Sequence, residues 1–125
     1  MTRDETKAFA EAWAAAWNGR DIEHVLVHFD ENVAFTSPTA LAVAGTATVS
    51  GKPALRAYWT AALQKITSLR FTVDRVVWDP QSHELAIVYA AEINGSARRA
   101  SENLRFGANG LVVAAEVFHG VARPN

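Results

Sequence analysis

Cysteine does not occur anywhere in this chain of 125 residues, which removes disulfides and thiolate metal sites from consideration. Basic clusters are missing too: beyond Arg98-Arg99 there is no run of Lys or Arg, and the formal net charge is −1. Nucleic acid, whose phosphates call for a basic stripe, is therefore not an expected partner. No apolar run reaches eighteen residues, so neither a spanning helix nor a membrane partner is expected. The leading residues Met1-Thr2-Arg3-Asp4-Glu5-Thr6-Lys7 are charged and lack the apolar stretch of an export signal, so a cytoplasmic location is expected. Asn94-Gly95-Ser96 spells a glycosylation acceptor, a chance match in that compartment. What is present is ordinary for a globular chain: half hydrophobic, a fifth charged, and enough length for one core. A single domain, 1–125, is expected.

Helical spacing places a first helix over about Asp4 to Asn18, with Phe9, Trp13, Ala16 and Trp17 inward and Lys7, Glu11 and Asn18 toward solvent. Gly19 closes it. Asp21 caps a second helix whose buried stripe is Ile22, Val25, Leu26 and Phe29. Val33-Ala34-Phe35 reads as a strand stopped at Ser37-Pro38. Thr39–Gly51, rich in Ala, Thr and Gly, reads as a mobile flap with one short strand near Ala47–Val49. Pro53 opens a third helix, lined by Leu55, Trp59, Ala62 and Ile66. From Leu69 onward the pattern is strands: Leu69–Asp79, a turn at Pro80–His83, Glu84–Ile93, a tight turn at Asn94-Gly95, then Ser96–Phe106, a turn at Gly107–Gly110, and Leu111–Val121. Helices first and a strand meander last make an α+β fold, helices packed on one face of a curved antiparallel sheet.

The Asn94-Gly95 turn pairs Ile93 with Ser96, Tyr89 with Ala100, Ile87 with Glu102 and Leu85 with Leu104. Alternation then puts Tyr89, Arg98 and Glu102 on one otherwise apolar face. If the Gly107–Gly110 loop holds four residues, Arg98 faces His119 and Glu102 faces Ala115; a loop one residue longer or shorter turns His119 outward. Charged groups on a core-directed face are costly unless paired or wet, so a polar cavity is the first functional hypothesis. Glu102 and His119 are the candidate catalytic residues. Desolvation raises the carboxyl pKa of Glu102, and a histidine exchanges protons near neutrality. Trp13, Ser37, Trp59, Tyr89 and Arg98 are the candidate substrate-binding residues, with Trp13 and Trp59 as cavity walls. His24 and His28, four apart on the second helix, point away from its apolar stripe and have no third ligand, so no metal site is expected. Ser37 has no adjacent base and reads as a hydrogen-bonding group, not a nucleophile.

Trp13…Trp17-Asn18-Gly19-Arg20-Asp21, Ser37-Pro38, Gly51-Lys52…Tyr58-Trp59 and Leu104-Arg105-Phe106…Gly110 together resemble the SnoaL-like branch of the nuclear transport factor 2-like superfamily. The resemblance implies a cone in which a bent sheet wraps three helices around a pocket open at one end. It also implies a homodimer formed through the outer sheet face, where Val88, Phe118, Val76 and Trp78 would supply apolar contact. The superfamily includes ketosteroid isomerase, polyketide cyclases, scytalone dehydratase, limonene epoxide hydrolase and non-catalytic binding modules, so fold does not fix function.

Against the steroid isomerase pattern the match is divided. Ser37 stands where the general-base aspartate is expected, Trp13 where a tyrosine donor is expected, and His119 at a pocket tryptophan. Glu102 takes the place of a protonated aspartate, with the same chemistry on a longer arm. Two readings stay open. One is cofactor-free acid–base chemistry of isomerase, cyclase or dehydratase type on a hydrophobic cyclic or polyketide-like compound. The other is a non-catalytic ligand-binding or dimeric interaction module.

Overall fold

The computed structural model describes residues 1–123. Helix α1 spans Arg3–Asn18 and begins at a reciprocal cap. The Thr2 hydroxyl accepts from the Glu5 N–H at 3.1 Å, and the Glu5 carboxylate accepts from the Thr2 N–H at 2.8 Å. Its buried stripe is Thr6, Ala10, Trp13, Ala14 and Trp17. Asn18, expected to serve only solvent, instead bonds Phe71 both ways. Its Oδ1 accepts from the Phe71 N–H at 2.7 Å and its Nδ2 donates to the Phe71 carbonyl at 3.0 Å. Phe71 lies on β3, Leu69–Asp79, which is an edge strand. Asn18 thus covers backbone that would otherwise invite another strand.

Helix α2 is only Ile22–Leu26, capped by the Asp21 carboxylate on the His24 N–H at 3.1 Å. Phe29 is not part of its stripe. It opens strand β1, Phe29–Thr36, because its backbone pairs with Val112 in the sheet. Ser37-Pro38 ends that strand by starting a helix: the Ser37 hydroxyl accepts from the Thr39 N–H at 3.2 Å and Pro38 sits in the first turn of α3, Pro38–Ala44. The segment expected as a mobile flap is therefore a helix, a left-handed stop at Gly45 (φ 78°) and strand β2, Thr48–Ser50, which pairs with β1 through Phe35 and Val49. Helix α4, Lys52–Gln64, completes a set of four among the described residues, not three.

Strands β4, Glu84–Ile93, β5, Ser96–Phe106, and β6, Val112–Arg123, follow β3. The six strands run in the order β2-β1-β6-β5-β4-β3, antiparallel except where β1 meets β6. All four helices precede β3, the arrangement of an α+β fold with a curved sheet around its helices. Asn94 and Gly95 take φ of 53° and 83°, the geometry that a two-residue hairpin matching strand twist requires. The β4–β5 register is the expected one, Tyr89 on Ala100 and Ile87 on Glu102.

The β5–β6 register differs from expectation by two residues from Arg105 to Ala100, and a further bulge between Ala100 and Arg98 makes it three at Arg98, which pairs with Ala122. Phe106 pairs with Val112, so the loop holds five residues, not four, and a bulge at Val113 then adds one more. Each change alone would invert the strand; together they restore its parity. Ala100 faces His119 and Glu102 faces Val117, in place of Arg98 on His119 and Glu102 on Ala115. Strand β3 also carries a bulge, between Val73 and Arg75, which inverts its second half. Val76 and Trp78 consequently oppose the buried Ile87 and Leu85 and pack on the core, not on the outer face. Among the described residues no helix is long and apolar enough to cross a membrane.

Candidate functional site

Three rungs of β4, β5 and β6 build the inner wall. Leu85, Leu104 and Ala115 form the first, Ile87, Glu102 and Val117 the second, and Tyr89, Ala100 and His119 the third. The first rung is closed and dry, with Leu85 and Leu104 fully buried. At the third, small side chains at Ala100 and at neighbouring Ala91 leave space that the helices do not fill. The result is a cavity of about 470 Å³, open at one end. Trp13, Ser37, Trp59, Tyr89, Arg98, Glu102 and His119 all line it.

Its walls are aromatic and interlocked. Trp13 stacks on Phe71 (5.4 Å between ring centroids) and stands edge-on to Tyr89 (4.9 Å). Trp59 is held edge-on by Trp17 (4.9 Å), Phe29 (5.5 Å) and Phe35 (5.3 Å). Such pairs favour offset or edge-to-face contact, so the wall is pre-shaped. The indole N–H of Trp13 is buried without a hydrogen-bond partner.

Glu102 is the unusual group. Its side chain belongs to a residue only 4% exposed, and among the described residues it forms neither an ion pair nor a hydrogen bond with another side chain. Burial pushes its pKa up from the ordinary 4.5 to about 8, so at neutral pH the carboxyl is protonated and can donate. Tyr89, 4% exposed, is raised well above its usual range by burial and then by the Glu102 charge. Tyr58 is a lining residue that the sequence reading did not single out. Burial raises its pKa first; the Ser37 hydroxyl alongside lowers it and Glu102 raises it. Its signal was present: Tyr58 falls three residues after Leu55 and four before Ala62, inside the same helical stripe.

His119 stands at the open rim, more exposed than Glu102. Its Nδ1 lies 3.4 Å from Nη1 of Arg98, and a guanidinium can only donate, so Nδ1 is the unprotonated nitrogen. Partial burial, and then the Arg98 charge, lower its pKa and keep the ring neutral. Lys65 and Asn94 complete the rim. Ser37 is 4% exposed and spends its hydroxyl on the α3 cap, consistent with hydrogen bonding and not attack. His24 pairs with Asp21 at 3.2 Å and His28 packs edge-on against Phe9 at 5.1 Å. Among the described residues no three His, Cys, Asp or Glu side chains gather into a metal-binding group.

The arrangement offers a neutral carboxylic acid and two phenols aimed into an apolar chamber, with a neutral imidazole at its mouth. Such donors stabilise negative charge developing on a ligand oxygen.

The SnoaL-like domain pattern matches residues 10–119. A SnoaL-like protein of unknown function from Burkholderia thailandensis superposes with a TM-score of 0.86 at 29% identity, covering 96% of this chain and 98% of that one. Two more distant structures show the fold alone. One is a protein from Kribbella flavida proposed as a ketosteroid isomerase (19% identity, TM-score 0.72, 98% and 83% coverage). The other is TerC, co-crystallised with polyporic acid (14% identity, TM-score 0.75, 92% of each chain). No curated protein matches.

Proposed function

The chain belongs to the SnoaL-like domain family, and from that starting point we propose that it binds a hydrophobic cyclic or polyketide-like molecule and moves protons on it without a cofactor. Glu102 carries the argument: an unpaired carboxyl facing an apolar chamber of about 470 Å³. Burying an ionised carboxylate costs several kcal/mol, and such placements concentrate where protons are exchanged. Glu102 donates to a ligand carbonyl oxygen while Tyr58 and Tyr89 share the developing charge. The neutral His119 removes a proton from the adjacent carbon, giving an enol; return of that proton at a second carbon, or loss of a hydroxyl as water, completes an isomerisation or dehydration. Diagonal neighbours such as Glu102 and His119 stand roughly 7–8 Å apart, room for a ring between them. His119 acts only when its Nδ1 lone pair leaves Arg98, and their 3.4 Å contact is long for a hydrogen bond.

A substrate-independent assay tests this. The protein should accelerate exchange of the α-hydrogens of 2-tetralone with D2O, followed by proton NMR, above the buffer rate. Binding of 2-naphthol by calorimetry without any accelerated exchange would favour the second reading, a ligand-binding module.

A second copy of the chain is the proposed partner of the outer sheet face. Phe118 and Val77, 54% and 56% exposed, stand there beside Val88, amid Arg75, Arg99 and Ser101. Arg99 and Arg75 both bind Asp74 on that face. Sedimentation should give a dimer at micromolar concentration, and Phe118→Asp should give a monomer; a monomeric parent chain ends the proposal.

A further inference from the structure

The mouth of the cavity carries a different chemistry from its interior. Lys65, Arg98 and His119 line it, while Glu102, well inside, is the sole carboxyl among the lining residues described. Three other arginines find acids, Arg56 meeting Glu23 at 2.8 Å while Arg75 and Arg99 share Asp74, and Arg20 donates to the Leu63 and Ile66 carbonyls. Arg98 instead rests its guanidinium on an imidazole nitrogen, with no acidic partner among the described residues. Glu92, the nearest acid along β4, opposes Ala97 and points to the other face. A cation held this way, partly withdrawn from water, lacks its counter-charge.

We propose that the ligand is an apolar ring system bearing a carboxylate, docked with the carboxylate on Arg98 and Lys65 at the mouth and an oxygen on Glu102 inside. This rests on the reading of the cavity as a proton-transfer site and adds the substrate class. Arg98 and Glu102 are four residues apart on the same face of β5, so roughly 13 Å separates their positions along the strand at about 3.3 Å per residue. Two side chains reaching inward from those points leave a span suited to two fused rings. The planar guanidinium matches a carboxylate through two parallel N–H donors, which an isolated ammonium does not. Binding also has a consequence for His119. Arg98 engaged with a carboxylate is drawn off Nδ1, so an acid ligand frees the lone pair that the reaction needs more fully than a neutral ketone does.

The test compares 6-hydroxy-2-naphthoate, its methyl ester and 2-naphthol by titration calorimetry at neutral pH and low salt. The acid should bind at least tenfold tighter than the ester, and Arg98→Gln should bring the two within about threefold without weakening the ester. Added NaCl should weaken the acid selectively. Equal binding of acid and ester, or an acid preference surviving in Arg98→Gln, overturns the inference while leaving the proton-transfer reading intact if the ester and 2-naphthol bind. Failure of all three compounds to bind removes the inference, and absence of 2-tetralone exchange beside it removes the proton-transfer reading as well.

Discussion

Replacing Glu102 with Gln should make the protein more stable at pH 9 and leave it nearly unchanged at pH 5. Glu102 titrates near 8 in the folded chain and near 4.5 when unfolded. Between those values the folded state holds the extra proton, so stability falls as pH rises. The contribution is complete below about 4.5 and lost as pH passes about 8. A gap of that size corresponds to a loss on the order of 4 kcal/mol. Gln keeps the shape and does not ionise, so the variant escapes the loss. In a chain of this size each kcal/mol moves the melting temperature by roughly 3–5 °C, so the variant should melt about 10 °C or more above the parent at pH 9. Melting curves at the two pH values decide it. A difference independent of pH, or a parent more stable in alkali, would mean that the carboxyl is ionised and solvated in the native state.

The same substitution should cost activity. With 2-tetralone, exchange in Glu102→Gln is expected to fall by about 10² or more, since a positioned proton donor contributes roughly 10²–10⁴. Glu102→Asp, which keeps the acid on a shorter arm, should retain part of the rate. The parent's rate should decline as pH rises through about 8, when the acid loses its proton. It should also decline in acid, below the ordinary histidine range, because the lowered pKa of His119 keeps its ring neutral until then. In Glu102→Gln the alkaline limb should vanish. His119→Ala should slow exchange at least tenfold and remove the acid limb. Rates unchanged in both Glu102→Gln and His119→Ala would leave the cavity as a binding site.

The parts of the fold legible in the sequence are those where local chemistry leaves one choice. Asn94-Gly95 fixes a hairpin because its backbone needs two positive φ values, and that turn alone sets which residue opposes Glu102. The start of α2 was legible for a similar reason, since the Asp21 carboxylate caps it. Ser37-Pro38 was ambiguous: the same pair that stops a strand also starts a helix, and α3 supplies the carbonyl and N–H partners that a flap would have left to water. In β3 a mark was present and missed. The apolar residues run Leu69, Phe71, Val73 and then Val76, Trp78, passing from odd to even numbers across Asp74, as an inserted residue requires. The turn before β6 lacked a comparable mark, because loop length is decided by packing. There the bulge arises where Val113 crowds Gly107, at which a Cβ would come within 2.8 Å of the valine methyl. Tyr58 went unnoticed since a tyrosine in an apolar stripe reads as packing until the space in front of it is known.

Two insertions of one residue each, the fifth loop position and Val113, together keep the imidazole and the carboxyl looking into one chamber. Deleting Asn109 while the loop keeps five positions and the bulge stays in place would therefore turn the wall stretch of β6 inside out, sending Phe118 into the chamber and His119 to the outside. Removing Asn109 and Val113 together, so that neither insertion remains, leaves Val117 opposite Glu102 and His119 opposite Ala100. A change of length at this corner is harmless when the loop or the bulge absorbs it, and a two-residue step that neither absorbs slides the rim past the acid by one rung with its facing kept.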